Sequence, residues 1–279
     1  MSVGELQDRS VEAAGRSRAA PVIVMACAGP GTGRLRSVLS AFSELACSQG
    51  TGIVPLCHQA VSTWQLVDGG AAGGLAPLAA SSVRALCSTL TTVILAREGG
   101  SRWCEFTIAP PAAAQTFARL YPQARFLIAY CRADTVMRAV IGASRWGLEG
   151  PEFVPAVSAY PANPVAALAS YWATRTAQQL EFEQAHPGIC HRVRMEDLTA
   201  DAAQAVAGIN DFLALGGTDP SLPYTHDDHQ DPPSGGDLPL DRVPASLLSR
   251  VNELHRTLGY PPVPAAVARQ GHVPPGSRP

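Results

Sequence analysis

The chain contains no lysine: all 21 basic residues among its 279 are arginine. Any cation it needs at a site is therefore a guanidinium or an imidazolium, and a guanidinium presents paired, planar donors that an ammonium cannot. Charge is sparse, at 16% of residues, and the 23 acidic side chains leave a net charge of −2. That balance excludes a basic nucleic-acid binder, a charge-laced coiled coil and a disordered charged tail. Cysteine pairs at metal or redox spacing are also missing. Cys27, Cys47, Cys57, Cys87, Cys104, Cys131 and Cys190 stand singly, with no CxxC and no CxH. Their scatter argues against a disulfide framework and a zinc site, and for a reducing cytoplasm. The apolar run Pro21 to Gly29 near the start is only nine residues long, too short for a membrane span.

What is present is apolar: 46% of the chain is hydrophobic, enough for one large core. Residues 1–20 lack apolar periodicity and read as a loose arm, 21–262 as a single α/β domain, and 263–279 as a frayed tail. Val22 to Cys27 is a short β-branched run that stops at Gly29-Pro30-Gly31-Thr32-Gly33, and a helical pattern follows through Leu35, Val38, Leu39, Phe42 and Leu45. Ile53 to Leu56 reads as a second buried strand and Val61 to Val67 as a short helix. Further helices are expected over Ser81 to Leu95, Pro111 to Leu120, Thr135 to Ser144, Pro164 to Ala185, Ala200 to Leu215 and Pro244 to Leu258. Strands are expected over Trp103 to Ile108, Arg125 to Cys131 and Ile189 to Val193. Strands alternating with helices imply a mainly parallel sheet with helices on both faces, a three-layer α/β fold.

The glycine-rich turn between a buried strand and a helix points several backbone N–H groups and the helix dipole at one place, which suits a phosphate. Against the kinase P-loop GxxxxGK[ST], Ala28 replaces the first glycine, Arg34 the lysine and Leu35 the magnesium-binding hydroxyl, so a kinase-like phosphotransferase is one reading.

Motifs further along favour another. Ala28-Gly29-Pro30-Gly31-Thr32-Gly33-Arg34-Leu35-Arg36-Ser37 is followed by Trp103-Cys104-Glu105-Phe106-Thr107-Ile108, Tyr121-Pro122-Gln123-Ala124-Arg125-Phe126-Leu127 and Cys131-Arg132-Ala133-Asp134. Then come Val193-Arg194-Met195-Glu196-Asp197-Leu198, Phe212-Leu213-Ala214-Leu215 and Leu258-Gly259-Tyr260. In this order, over about 240 residues, the chain resembles the sulfotransferases that use 3′-phosphoadenosine 5′-phosphosulfate, most closely the protein-tyrosine and bacterial branch. The resemblance implies that Gly29, Pro30, Gly31, Thr32, Gly33, Arg34 and Leu35 bind the 5′-phosphosulfate. It implies that Arg132 binds the 3′-phosphate, with Val140 at the position of a serine that shares that site. No metal is expected.

Departures from the family pattern bear on chemistry. Gly29 stands where the family has a basic residue, Pro30 where it has serine, and Phe106 where it has the lysine of K-T-P. Charge grows on the bridging oxygen of the leaving phosphate, so another cation must stand in, and Arg34 in the first helical turn is the candidate. For the acceptor's base, His58 is the imidazole in the matching region, and imidazole changes charge near neutrality. Its alternative is a half-buried histidine that only hydrogen-bonds. Glu105 reads as a fixed structural acid, Glu196-Asp197 as a capping pair before the helix from 200, and Asp227-Asp228-His229 as a solvated loop. The expected activity is sulfuryl transfer to a hydroxyl or amine of a small-molecule acceptor in bacterial tailoring metabolism. A diverged member with other chemistry, or with binding alone, is the alternative. Nucleic-acid and membrane partners are not expected, and the oligomeric state stays open, a homodimer included.

Overall fold

The computed structural model describes residues 20–27, 32–67, 77–107, 110–143, 148, 150–216 and 238–263. They gather in two compact units, Met1–Cys131 with Arg175–Gln230, and Arg132–Thr174 with Asp231–Pro279.

The first unit is built on a parallel five-stranded sheet: β1 (Val22–Met25), β2 (Leu45–Gln49), β3 (Arg102–Thr107), β4 (Arg125–Tyr130) and β5 (Cys190–Arg194). Their order is β2-β3-β1-β4-β5, with Val22 level with Cys104 on one side and Arg125 on the other. Every β1 residue is buried, as expected of a central parallel strand covered on both faces. The chain leaves β1 in one direction to reach β2 and leaves β3 in the other to reach β4. Right-handed crossovers therefore put helices α1 (Thr32–Ser40) and α4 (Pro111–Leu120) on opposite faces.

On the α1 face, Leu35, Val38 and Leu39 pack with Val24, Phe106, Ile209 and Leu213, each such side chain contributing about 1.5–3 kcal/mol by leaving water. On the other face Phe117 of α4 lies 6.1 Å from Trp103 and stacks on Tyr121 at 4.7 Å. Two further helices, α2 (Ile53–Val67) and α3 (Pro77–Glu98), belong to this unit. By length and composition α3 could cross a membrane; here Ala79, Ala80, Val83, Cys87, Leu95 and Ala96 of its length are buried.

Two sequence expectations are corrected in this unit. Ile53 to Leu56 is not a strand but the first turn of α2, which runs unbroken to Val67; the second strand is Leu45–Gln49, so the first helix ends at Ser40 and does not reach Leu45. Pro55 is tolerated because first-turn N–H groups have no intrahelical acceptor to lose. The helix expected from Ala200 is two, α8 (Asp197–Ala200) and α9 (Ala202–Leu213), and the residue that caps α9 is Asp201, whose carboxylate accepts from the Gln204 N–H at 3.1 Å, rather than the Glu196-Asp197 pair.

The second unit contains α5 (Ala133–Ala143), α6 (Val154–Ala159) and α10 (Ala245–Thr257), while α7 (Pro164–Ala185) contributes residues to both units. The segment before Pro164, for which no helix is expected from the sequence, thus holds one, α6, with Pro155 in its first turn. His255 organises this unit. It is 0% exposed, its Nε2 accepts from the Ala133 N–H at 3.1 Å, and its Nδ1 donates to the Pro261 carbonyl at 2.7 Å. Those two bonds fix the neutral tautomer. Trp172 and Tyr260 meet its ring edge-on at 5.1 and 5.5 Å. The Leu258-Gly259-Tyr260 motif is the helix stop that makes this possible. Gly259 takes φ +73, its N–H bonds the Arg256 carbonyl, and the Tyr260 N–H bonds the His255 carbonyl, a Schellman closure that needs glycine at that place.

Candidate active site

In the first unit β1 delivers the chain toward α1, and Gly29, Pro30 and Gly31 lie outside the described residues. Thr32, Gly33 and Arg34 form the first turn of α1, where backbone N–H groups have no helical acceptor and point out along the helix axis. The Gly33 carbonyl accepts from the Ser37 hydroxyl at 3.1 Å, securing that turn. Arg34 Nη1 donates to Thr199 Oγ1 at 2.9 Å, so the guanidinium is steered toward α8. Leu35 differs from its neighbours: its side chain is 0% exposed and packed into the core, so only its backbone could face an anion.

Phe106, where the family pattern has lysine, is likewise a core residue on the α1 face of β3. Alternation along the strand sends the preceding Glu105 to the opposite face. There Glu105 is 1% exposed, accepts a 2.6 Å bond from Thr51 Oγ1, and takes the backbone N–H groups of Gly52, Ile53 and Val54. A buried carboxylate from another strand thus holds the N-terminus of α2, where its charge meets the helix dipole. Burial still outweighs those donors and pushes the carboxyl up to about 7.

His58 lies on the second turn of α2, not at a strand end, and is half-buried. Its Nδ1 is 2.9 Å from Thr116 Oγ1 on α4. The Thr116 hydroxyl gives its proton to the Ala112 carbonyl at 3.0 Å, so Nδ1–H is the donor in the contact and Nε2 keeps the lone pair. Thr51 and Thr116, which orient α2 and its imidazole, were not singled out from the sequence. A threonine followed four residues later by a first-turn proline was the available signal for the helix start.

In the second unit Arg132 immediately precedes α5. Its Nε and Nη2 form a fork to the two carboxylate oxygens of Asp134 at 3.0 and 3.1 Å, and its carbonyl receives the Val136 N–H at 3.0 Å. The His255 bond to the Ala133 N–H sits between them. Backbone and side chain of Arg132 are therefore both fixed before any ligand arrives, which lowers the ordering cost of an anion contact. Val140, two turns along α5, is buried and has no polar group to share. The Asp227-Asp228-His229 cluster lies outside the described residues. Among the described residues no group of three or more His, Cys, Asp or Glu gathers to hold a metal.

The comparisons agree with this architecture. A solved sulfotransferase domain from the curacin biosynthetic pathway superposes with a TM-score of 0.60 at 15% identity, covering 87% of this chain and 98% of that one. The sulfotransferase from Alicyclobacillus acidocaldarius gives 0.52 at 12% identity, covering 87% and 96%. The sulfotransferase domain of the Synechococcus PCC 7002 olefin synthase gives 0.51 at 15%, covering 89% and 98%. At such identities these likenesses show the fold. No curated protein matches the chain in sequence. The model of the sulfotransferase family matches residues 21–219, well over half of the chain, and the chain belongs to that family.

Proposed function

We propose that this chain transfers a sulfuryl group from 3′-phosphoadenosine 5′-phosphosulfate to a hydroxyl or amine of a small-molecule acceptor, as a tailoring enzyme of the bacterial cytoplasm. The observation that carries the reading is the pre-fixed Arg132 fork at the start of α5, in a chain whose first helix opens on Thr32-Gly33-Arg34 after a buried strand. By the family resemblance Thr32, Gly33 and Arg34 correspond to the residues that hold the donor's 5′ end and Arg132 to the one that holds its 3′-phosphate, and the donor when bound supplies the sulfuryl group. Arg34 would stand in for the cation that Phe106 cannot provide. His58, through Nε2, would take the acceptor's proton, its ring held by Thr116.

A second reading, nucleotide binding without sulfuryl transfer, is favoured by one feature, the burial of Phe106 in the core where the family pattern has lysine. Kinase-like chemistry finds less support, since the position of a magnesium-binding hydroxyl is the fully buried Leu35.

Calorimetric titration with 3′,5′-adenosine bisphosphate tests the cofactor assignment. The wild-type chain should bind it, and Arg132→Ala should weaken binding by roughly 1.5 to 3 kcal/mol, the range for a hydrogen bond to a charged group. Equal affinity in the variant removes Arg132 from the site. Binding without turnover across hydroxyl and amine acceptors would promote the second reading.

A further inference from the structure

All seven cysteines are free thiols, and two pairs of them meet: Cys47 with Cys104, side by side on β2 and β3, and Cys57 with Cys87. Cys57 on α2 and Cys87 on α3 are 30 residues apart in sequence and bring their sulfurs to 2.8 Å, about 0.8 Å longer than a disulfide bond of ~2.0 Å. Both are buried, at 0% and 1% exposure, and neither is used by the site described above. Their contact is unequal. Donation from Cys57 pulls the Cys87 thiol below its ordinary value, while the same bond and burial push Cys57 up. Loss of the first proton belongs to the pair, and the thiolate it leaves is held by the S–H of its neighbour.

From the facing sulfurs of two packed helices we infer that Cys57 and Cys87 are a modification site, closing to a reversible disulfide that staples α2 to α3 when a small two-electron oxidant such as hydrogen peroxide reaches them. The Cys87 thiolate attacks one peroxide oxygen, the O–O bond breaks, and hydroxide leaves to become water with the proton Cys87 released. Cys87 is then a sulfenic acid. The Cys57 sulfur attacks it, the S–S bond forms, the S–O bond breaks, and the hydroxyl departs as a second water with the Cys57 proton. Two thiols and one peroxide give one disulfide and two waters, the sulfurs losing the two electrons that the peroxide gains. No other sulfur need move, and the helices need close only the remaining fraction of an ångström. Burial makes the reaction slow and selects for an oxidant as small as peroxide, entering by local opening.

The test uses the whole chain treated with hydrogen peroxide, blocked with N-ethylmaleimide without reduction, digested and read by mass spectrometry. A peptide joining Cys57 to Cys87, two hydrogens lighter than its halves and lost on dithiothreitol, is the expected product. Cys87→Ser should yield none. The oxidised wild-type chain should also melt about 5–10 °C higher, because the bond closes a long loop in the unfolded chain. Recovery of Cys57 and Cys87 as separate maleimide or sulfinic peptides overturns the proposal, as does a Cys47–Cys104 peptide in its place. Both readings come from the wild-type chain, so they hold even if the serine variant fails to fold.

Discussion

Glu105→Gln should remove a fall in stability that the wild-type chain shows as pH rises from about 4.5 to about 7. The carboxyl is 1% exposed and burial pushes it up to about 7, from an ordinary 4.5 in the unfolded chain. Between those values the folded state holds a proton that the unfolded state has released. Unfolding then frees that proton, so raising the pH favours the unfolded chain, and the group's stabilising contribution is full below 4.5 and gone above 7. A difference of this size corresponds to ~3 kcal/mol at about 1.4 kcal/mol per unit. Urea unfolding at a series of pH values should show the wild-type curve dropping by about that amount relative to the glutamine variant. A constant difference across the range would mean that the carboxyl titrates as an exposed one does. Glu105→Ala should be worse at every pH, because the Thr51 hydroxyl and the N–H groups of Gly52, Ile53 and Val54 lose their acceptor, each stranded donor costing roughly 1–3 kcal/mol.

Glu105 also explains why one part of the fold was hard to read. Ile53-Val54-Pro55-Leu56 is β-branched and apolar, the local signature of a buried strand, but the N–H groups of Ile53 and Val54 are taken by a carboxylate from a strand more than fifty residues later in the sequence, and the Leu56 N–H closes the first helical turn on the Gly52 carbonyl. No local periodicity carries that information, and the tertiary cap overrides propensity. The true second strand, Leu45-Ala46-Cys47-Ser48-Gln49, is polar at its end and sits directly after a helix, so its apolar residues continued the helical pattern. Where local chemistry and fold agree, boundaries were plain: Pro111 opens α4 and Pro164 opens α7, each with the proline in the first turn that a helix accepts. The parallel sheet followed from alternation alone. The family followed from the order of weak motifs, several of which have visible physical jobs. Leu258-Gly259-Tyr260 terminates α10, Arg132-Ala133-Asp134 makes an ion-pair fork, and Trp103 Nε1 donates to Ser48 across two strands at 3.0 Å. The seat of His255 between Ala133 and Pro261 was not legible, because it joins segments 122 residues apart.

His58→Ala should lower turnover with a competent acceptor by about 10² to 10⁴, with little change in adenosine bisphosphate affinity, if the imidazole takes the acceptor's proton. The geometry sharpens the expectation. A base must offer a lone pair, and Thr116, by giving its own proton to Ala112, obliges Nδ1 to carry the hydrogen and leaves Nε2 basic. Thr116→Val should therefore lower turnover less than His58→Ala does, because it releases the ring's orientation without removing the base. A purely structural histidine predicts another pattern. Its removal from the α2–α4 contact would lower the unfolding free energy, while rate per folded molecule would survive. Measuring urea stability, nucleotide affinity and rate per folded molecule on the same His58→Ala preparation separates the two. An unchanged rate per folded molecule in that variant excludes His58 as the base.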